Sequence, residues 1–487
     1  MVVVLVLTFY TTRVVLSVLG VEDYGVYNVV CGFVSMFSFL SISMSNGIQR
    51  FFNFELGKNG TEGACKVYNT ALQIQAITAV VIVVLAEGVG IWYLHNKMVI
   101  PEPRMHAAEW IFQFSILSFV FAIMQAPFSA AAMAHERMDF CAIVSVLDAV
   151  LKLCMVLLVP FFQGDRLIIY GLLFVVISIL NFVLYFSYAR KNFPEIRFHP
   201  VFRKELFLSM IGFSGWNFFG SFAGIMKEQG MNIVLNLFFG PVVNAARGVA
   251  SQVNSGLQNF VQNISVPIRP QVIQSFAVGN YTRSLNLAFC QSKLSCCLVY
   301  FISLPIILEV DFVLRLWLGG NVPEHTDAFI VIIVLVSYLA NLNGPVSSVV
   351  HASGKMRKYQ VVTSLISILC IPAAYVALKL GCSPETALMM TFVFSVASQC
   401  ASLRILQGIV EFKIGNYVKK VLLPFILLVA CTIALPLIPR ILMPESWLRF
   451  LIVGTVSVLS IGTGVYYIAL SRNERDFVLQ MIKKKTR

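Results

Sequence analysis

The sequence predicts an all-α polytopic membrane protein of about fourteen transmembrane helices, arranged as two six-helix bundles in parallel repeat plus an appended C-terminal helix pair. Three observations carry this reading. Of the 487 residues, 58% are apolar and only 12% charged, and the mean hydropathy is +0.82. Soluble domains carry about 25% charged residues, so this chain cannot cover itself with a polar surface and is solvated by lipid. Apolar runs long enough to cross a bilayer, about 20 residues each, follow one another along the chain. Basic residues collect in every second loop. These features exclude a soluble enzyme, a disulfide-rich secreted module and a disordered chain.

The expected spans are 1–19, 26–45, 70–94, 108–134, 141–162, 167–189, 205–226, 242–266, 286–309, 328–351, 359–380, 385–411, 419–438 and 448–470. Leu19-Gly20 punctuates the first two, and the polar stretch 46–69 with Arg50, Lys58 and Lys66 separates the second from the third. Pro101 and Pro103 precede the fourth, His135-Glu136-Arg137 follows it, and Gln163-Gly164-Asp165-Arg166 parts the fifth from the sixth. The stretch 189–205 holds five basic residues: Arg190, Lys191, Arg197, Arg203 and Lys204. The seventh and eighth spans are rich in Gly, Asn and Gln. Lys355, Arg357 and Lys358 follow the tenth span, and Lys413, Lys419 and Lys420 precede or open the thirteenth.

With a cytoplasmic N-terminus, the inner loops and tail hold 24 basic residues and the outer loops 8. That bias places both termini inside. It also accounts for the net charge of +13 without nucleic acid. The first span starts at Met1 with no basic flank, and Arg13 interrupts it, so it is not a signal peptide; we expect the true start to lie upstream.

The 11 Cys form no CxxC and the six His no HExxH, so we expect buried thiols acting as small hydrophobes and no metal site. No Walker A motif is present, so the chain does not hydrolyse ATP itself, and no cofactor is expected beyond a coupling H+ or Na+.

An internal repeat relates the halves. Gln125-Ala126-Pro127-Phe128-Ser129 parallels Asn343-Gly344-Pro345-Val346-Ser347 at an offset of 218, Leu19-Gly20 parallels Phe239-Gly240 at 220, and Gly57 parallels Gly279 at 222. Six spans return the chain to its starting side, so the repeat axis runs along the membrane normal. The expected divisions are 1–190 for the first bundle, 205–411 for the second, 419–470 for the appended pair and 471–487 for a basic cytoplasmic tail. Pro127, Gly344 and Pro345 are the expected hinges, because a mid-helix Pro removes a backbone hydrogen bond.

Polar chemistry concentrates in the eighth span. Asn244, Arg247, Ser251, Ser255, Gln258, Gln262 and Ser265 follow at spacings of 3, 4, 4, 3, 4 and 3, which places them on one helical face. Asn254, Asn259 and Asn263 widen it. Amides facing hydrocarbon are expensive, so the stripe faces protein, through interhelical hydrogen bonds, or a hydrated cavity suited to sugar hydroxyls. Asp148 and Lys152, at i,i+4 in the fifth span, share a face and can pair. They form either a neutralised structural pair or a cavity charge that engages an anion or exchanges a proton. Arg13, Arg247 and Lys293 lie near span ends, where long side chains can snorkel.

Leu19-Gly20-Val21-Glu22-Asp23-Tyr24-Gly25-Val26-Tyr27-Asn28, Ser45-Asn46-Gly47-Ile48-Gln49-Arg50-Phe51 and the run Asn244–Ser255 resemble the polysaccharide transporters of the multidrug/oligosaccharidyl-lipid/polysaccharide (MOP) flippase superfamily, and within it the Wzx-type O-antigen and capsule flippases. The resemblance covers essentially the whole chain. It implies twelve plus two helices, a V-shaped pair of bundles and a cationic central cavity. It further implies export of an undecaprenyl-diphosphate-linked oligosaccharide to the outer leaflet for lipopolysaccharide or other polysaccharide biosynthesis, with polymerase and glycosyltransferases as partners. On that basis the diphosphate meets the cations Arg13, Arg50, Lys152, Arg247 and Arg269, balanced by Asp148, while the sugars meet Asn244, Ser251, Asn254, Ser255, Gln258 and Gln262. No bond is made or broken, so the chain is not an enzyme. The alternatives are a MATE-like multidrug or metabolite exporter of the same fold, which would favour an acidic cavity, and a scramblase or structural membrane protein, which would need neither buried charges nor a repeat.

Overall fold

The computed structural model describes residues 2–135, 137–198, 203–319, 322–353, 355–470 and Arg475. It is all-helical, with no strand among the described residues. The helices are α1 (Val2–Ser35), α2 (Ser38–Leu85), α3 (Ile91–Asn96), α4 (Met105–Ala134), α5 (Met138–Leu158), α6 (Arg166–Asn192), α7 (Lys204–Phe239), α8 (Pro241–Ala277) and α9 (Tyr281–Leu308). They continue with α10 (Val310–Leu318), α11 (Thr326–Ala352), α12 (Met356–Lys379), α13 (Pro384–Gln407), α14 (Ile414–Tyr417), α15 (Leu423–Thr432), α16 (Ala434–Leu442) and α17 (Trp447–Gly464). Apart from Arg475, the expected basic tail lies outside the described residues.

Eleven helical segments among the described residues are long and apolar enough to cross a membrane. The fourteen expected spans map onto these helices once the glycine breaks are counted. Gly20 divides α1 with φ 84° and ψ 170°, and Gly60 divides α2 with φ 60° and ψ −147°. Both lie in the left-handed half of φ space, which only glycine enters at no steric cost. The second span is thus longer than expected, running from the Gly20 break through a turn at Met36-Phe37 to Gly60. Helices α7 and α8, 36 and 37 residues long, supply the seventh and eighth spans and are not among the eleven.

The glycine breaks recur at corresponding places of the two sequence halves. Gly240, between α7 and α8, has φ 74° and ψ −167°, close to Gly20, and Gly279 before α9 has φ 81°. Its counterpart is Gly60 rather than Gly57, which lies within the helical run. The physical reason is that the residue joining two helices, not its neighbour one turn earlier, must take the positive φ. Pro127 and Pro345 both sit inside helices, α4 and α11.

Packing groups the chain into two compact units. One comprises Met1–Val249, Trp317–His325 and Ser367–Ala387; the other comprises Ala250–Leu316, Thr326–Ile366 and Leu388–Arg487. This grouping cuts within α8, α10, α12 and α13, at points other than the repeat-based division. In the first unit α4 packs on α6 and α2, and α2 on α7, around a core that includes Phe52, Tyr68, Ala71, Phe128 and Met210. In the second, α9 packs on α11 and α17. The appended pair α14–α17 is anchored there: Leu428, Val453 and Ile461 join Cys297, Tyr300 and Leu304 of α9 in one core. The Tyr300 and Thr432 hydroxyls lie 3.1 Å apart, and Gln399 Nε2 donates to Tyr417 Oη at 3.0 Å. Large apolar side chains such as Ile143, Val84 and Leu451 are well exposed, as a lipid-facing surface requires.

Polar ties between loops respect the alternation of sides. Arg104 Nε donates to Asp23 at 2.6 Å and its Nη1 to Asp165 at 2.6 Å, joining three connections that a fourteen-span chain places at the same membrane face. Burial would raise the Asp165 carboxyl, but its hydrogen bonds from Arg104, and from the amides of Leu167 and Ile168, outweigh this and hold it below the usual carboxylate range. At the opposite face His135 pairs with Glu195, and Asn69 Nδ2 donates to the Arg197 carbonyl at 2.8 Å. In the second unit Arg449 bonds Glu309 at 2.6 Å and Arg315 pairs with Glu445. Each tie joins loops on one side.

Of the described glycines, Gly25 is the most closely approached: an added Cβ would lie 2.0 Å from the Pro241 carbonyl oxygen. Overpacking against backbone costs about 1–3 kcal/mol. Gly25→Ala is therefore expected to lower the Tm of the detergent-solubilised protein, whereas Gly224→Ala, whose Cβ meets nothing within 4 Å, should leave it level or raise it. Equal Tm values for the two variants would refute the close approach.

Candidate functional site

The α8 stripe is one continuous helical face, but its parts have different surroundings. Asn244 is fully buried. Its Nδ2 donates to the Asn232 carbonyl at 2.8 Å and to Asn232 Oδ1 at 2.6 Å, and its Oδ1 accepts from Asn236 Nδ2 at 3.1 Å. Asn236 in turn exchanges hydrogen bonds with the Val99 backbone at 3.0 and 3.2 Å, and Asn232 Nδ2 reaches the Asn28 carbonyl at 3.2 Å. Three amide side chains thereby satisfy one another and the backbone where α1, α7 and α8 meet. This is the packing role that polar side chains take inside membranes. The motifs around Gly25-Asn28 and Pro241-Gly248 lie against each other here: a Cβ on Gly248 would lie 2.9 Å from the Asn28 amide.

Arg247 is 8% exposed and so does not snorkel. Its Nη2 donates to the Glu228 carbonyl at 2.7 Å, while its Nε is enclosed with no hydrogen-bond acceptor among the described residues. Lys293, 5% exposed on α9, is likewise buried rather than interfacial. Arg13 is exposed on α1, and the side chain of Arg50 lies outside the described residues.

Beyond Val249 the stripe belongs to the second unit. Gln258, Gln262, Ser265 and Arg269 line a cavity of about 330 Å³ together with Gln291, Asn341, Ser348 and the hinge residues Gly344 and Pro345. Gln258 Nε2 donates to Ser337 Oγ at 2.5 Å, and Asn341 Nδ2 to the Ser337 carbonyl at 2.8 Å. Gln291 Oε1 and Ser295 Oγ are enclosed without partners among the described residues, so the cavity offers unused polar valences. Ser251 and Asn254 are half-buried, and the exposed Ser255 donates to the Ser251 carbonyl at 3.0 Å.

A second cavity, about 590 Å³, lies in the first unit and is lined by Ser118, Gln125, Asp148, Lys152, Asn181 and Tyr185 among others. Lys152 Nζ bonds Asp148 Oδ2 at 2.7 Å, as the i,i+4 spacing predicts, and Asn181 Nδ2 donates to Asp148 Oδ1 at 2.7 Å. The ammonium stands 5.5 Å from the Phe174 ring centroid, within cation–π range. The pair is neutralised yet open to the cavity, with side chains 38% and 26% exposed. Asn181 was missed in the sequence reading. The available signal was Ser178, Asn181 and Tyr185 at helical spacing in an otherwise apolar span. Pro127, buried in α4, is outside this cavity's lining, although Gln125 belongs to it.

No family model matches the chain, and no curated protein matches it. Solved structures do match. The lipid II flippase MurJ in an inward closed conformation aligns over 95% of this chain and 98% of its own, with TM-score 0.72 and 13% identity. An inward-facing multidrug resistance MATE family transporter of the MOP superfamily aligns over 83% of this chain and 95% of its own, with TM-score 0.68 and 11% identity. The chain has the MOP-superfamily fold. A MOP superfamily transporter from Pyrococcus furiosus, described by the reversed polarity of its binding pocket, aligns over 83% of this chain and 96% of its own, with TM-score 0.56 and 9% identity. The superfamily fold expected from the Gly20–Asn28 and Asn244–Ser255 motifs is thus the fold observed.

If Asp148 and Lys152 mainly neutralise each other, a lone charge is worse than none. Asp148→Ala and Lys152→Ala should each lower the Tm in detergent by more than the double variant does, with a coupling of about 1 kcal/mol. Additive effects would remove the pair from the list of coupled elements.

Proposed function

We propose that the chain is a flippase that carries an undecaprenyl-diphosphate-linked oligosaccharide, the repeat unit of an O-antigen, capsule or other exopolysaccharide, from the cytoplasmic to the outer leaflet. The observation that carries this reading is the extent of the fold match. The lipid II flippase alignment spans 95% of the chain, leaving too few residues to omit the C-terminal helix pair Ile414–Ala469. The MATE alignment spans 83%, which leaves enough. A substrate with a long lipid tail and a polar head has use for extra membrane-embedded surface beside the polar cavities.

The residues divide the work. The diphosphate meets guanidinium and ammonium groups, foremost Arg247, with Arg269, Arg13, Arg50 and Lys152 along the path; sugar hydroxyls meet Ser251, Asn254, Ser255, Gln258 and Gln262, with Asn244 holding the helix that presents them. In the structure Arg247 is enclosed and spends one donor on a backbone carbonyl, so engaging substrate needs a second conformation of α7 and α8, as alternating access supplies. Pro127, Gly344 and Pro345 are the hinges of that change. Asp148, held between Lys152 and Asn181, is the group through which H+ or Na+ couples. A drug exporter handling cations would favour a free mid-membrane carboxylate, whereas Asp148 is already neutralised. The protein acts in the inner membrane with both termini cytoplasmic, beside the polymerase and glycosyltransferases that use and make its cargo.

Arg keeps its charge at physiological pH and presents a planar fork to phosphate oxygens. In a strain lacking the native gene, Arg247→Ala should therefore cut surface polysaccharide by tenfold or more, about the loss expected for one charge-assisted contact, at near-normal protein level in the membrane. Arg247→Lys should recover part of the activity, and Gln258→Leu should impair it less. Full export by Arg247→Ala would end the assignment.

Sidedness is checked separately. In a Cys-free background, Asn192→Cys should resist an impermeant thiol reagent in intact cells, and Gln163→Cys should react. Labelling of both from outside would overturn the topology.

A further inference from the structure

A third cavity, about 1080 Å³, also lies in the first unit and shares no lining residue with either polar cavity. Its wall is apolar and aromatic. Phe128, Phe182 and Phe186 form a ring cluster with centroid separations of 5.4–6.1 Å, and Leu72 and Met124 complete it. Three cations also line it: Arg190 and Lys191 in the last turn of α6, and Arg197 in the loop that follows. The Arg190 guanidinium stands 5.8 Å from the Phe186 centroid, so charge and hydrocarbon wall are contiguous. Gln73 Oε1 is enclosed without a hydrogen bond among the described residues.

The loop that carries Arg197 is built into place. Glu195, 1% exposed, pairs with His135, whose ring stacks on Phe193 at 4.3 Å, and Asn69 Nδ2 holds the Arg197 carbonyl at 2.8 Å. These ties fix a basic rim on an apolar well. A soluble anion would use only the rim and a neutral hydrocarbon only the well. A molecule that uses both has a phosphate head and an acyl tail, and basic pockets between membrane helices are suited to such heads.

We propose that this cavity binds an anionic glycerophospholipid from the leaflet facing the α6–α7 loop, with its phosphate at Arg190, Lys191 and Arg197 and an acyl chain among the three Phe rings. Beside the three cations the polar lining is limited to Tyr68, Gln73 and Asn192, which fits a small glycerol head rather than a sugar diphosphate. The site is independent of the flippase reading, since none of its residues belongs to the proposed substrate path.

The test is native mass spectrometry of the detergent-purified full chain with added phosphatidylglycerol, phosphatidylcholine or undecaprenyl phosphate. Phosphatidylglycerol should be retained in preference to phosphatidylcholine. Each basic residue near an anionic head contributes roughly a fivefold gain. Arg190→Gln combined with Lys191→Gln should therefore weaken retention about 25-fold. Ala76→Trp, which narrows the well without touching a charge, should also displace the lipid. The Arg and Lys changes are on exposed side chains, and an unchanged Tm in lipid-free detergent shows that each variant is folded. Equal retention of the two phospholipids, or retention unaffected by the charge removal in a folded variant, would overturn the proposal. So would a tenfold preference for undecaprenyl phosphate, which would make the cavity a second station for the carrier lipid. Loss of export with retention intact would bear on the flippase reading alone.

Discussion

Hydrocarbon offers no hydrogen bonds, and the architecture of this protein follows from that absence. Every backbone amide inside the bilayer must be paired by the chain itself. The described residues are therefore helical, and the helix-to-helix joints at Gly20, Gly60, Gly240 and Gly279 fall on residues that can take positive φ. The same constraint governs side chains. Asn232, Asn236 and Asn244 are buried because they bond one another and the backbone, and Asp148 is tolerated because Lys152 and Asn181 share its two oxygens.

Polar groups that escape this rule are the ones with chemistry to spare. The enclosed Nε of Arg247, Oε1 of Gln291, Oγ of Ser295 and Oδ1 of Asn181 lack partners among the described residues. Leaving a buried polar atom unbonded costs about 1–3 kcal/mol. Three of the four residues line one of the polar cavities, and the fourth, Arg247, shares the helix that lines one. The amide atoms of Gln75, Oε1 of Glu309 and Nε of Arg449 are enclosed in the same way outside the two polar cavities.

Glycine and asparagine act together at the contact of α1 with α7 and α8. Gly25 and Gly248 let backbones and amides approach where a methyl group would collide, and the short distance makes the Asn232 to Asn28 bond feasible. Gly25, Asn28, Asn244 and Gly248, which belong to the stretches that carry the resemblance to MOP transporters, are thus residues of one packing contact.

Periodicity and composition determined much by themselves. Apolar runs determined the helix class, because the length of a helix that crosses hydrocarbon is set by bilayer thickness. The i,i+4 spacing of Asp148 and Lys152 determined their pairing, because helix geometry alone brings them together. The 3/4 spacing of the α8 stripe likewise determined that its residues share a face. What that face meets was decided only by tertiary structure. Asn244 and Arg247 are enclosed in one compact unit, whereas Gln258, Gln262 and Arg269 line a cavity in the other. Spacing along one helix reports direction about its axis and says nothing of what packs there. The pairing of Asn181 with Asp148, 33 residues apart, and the basic rim over the Phe128–Phe182–Phe186 well were also beyond the sequence, since each is made by segments that only the packed fold brings together.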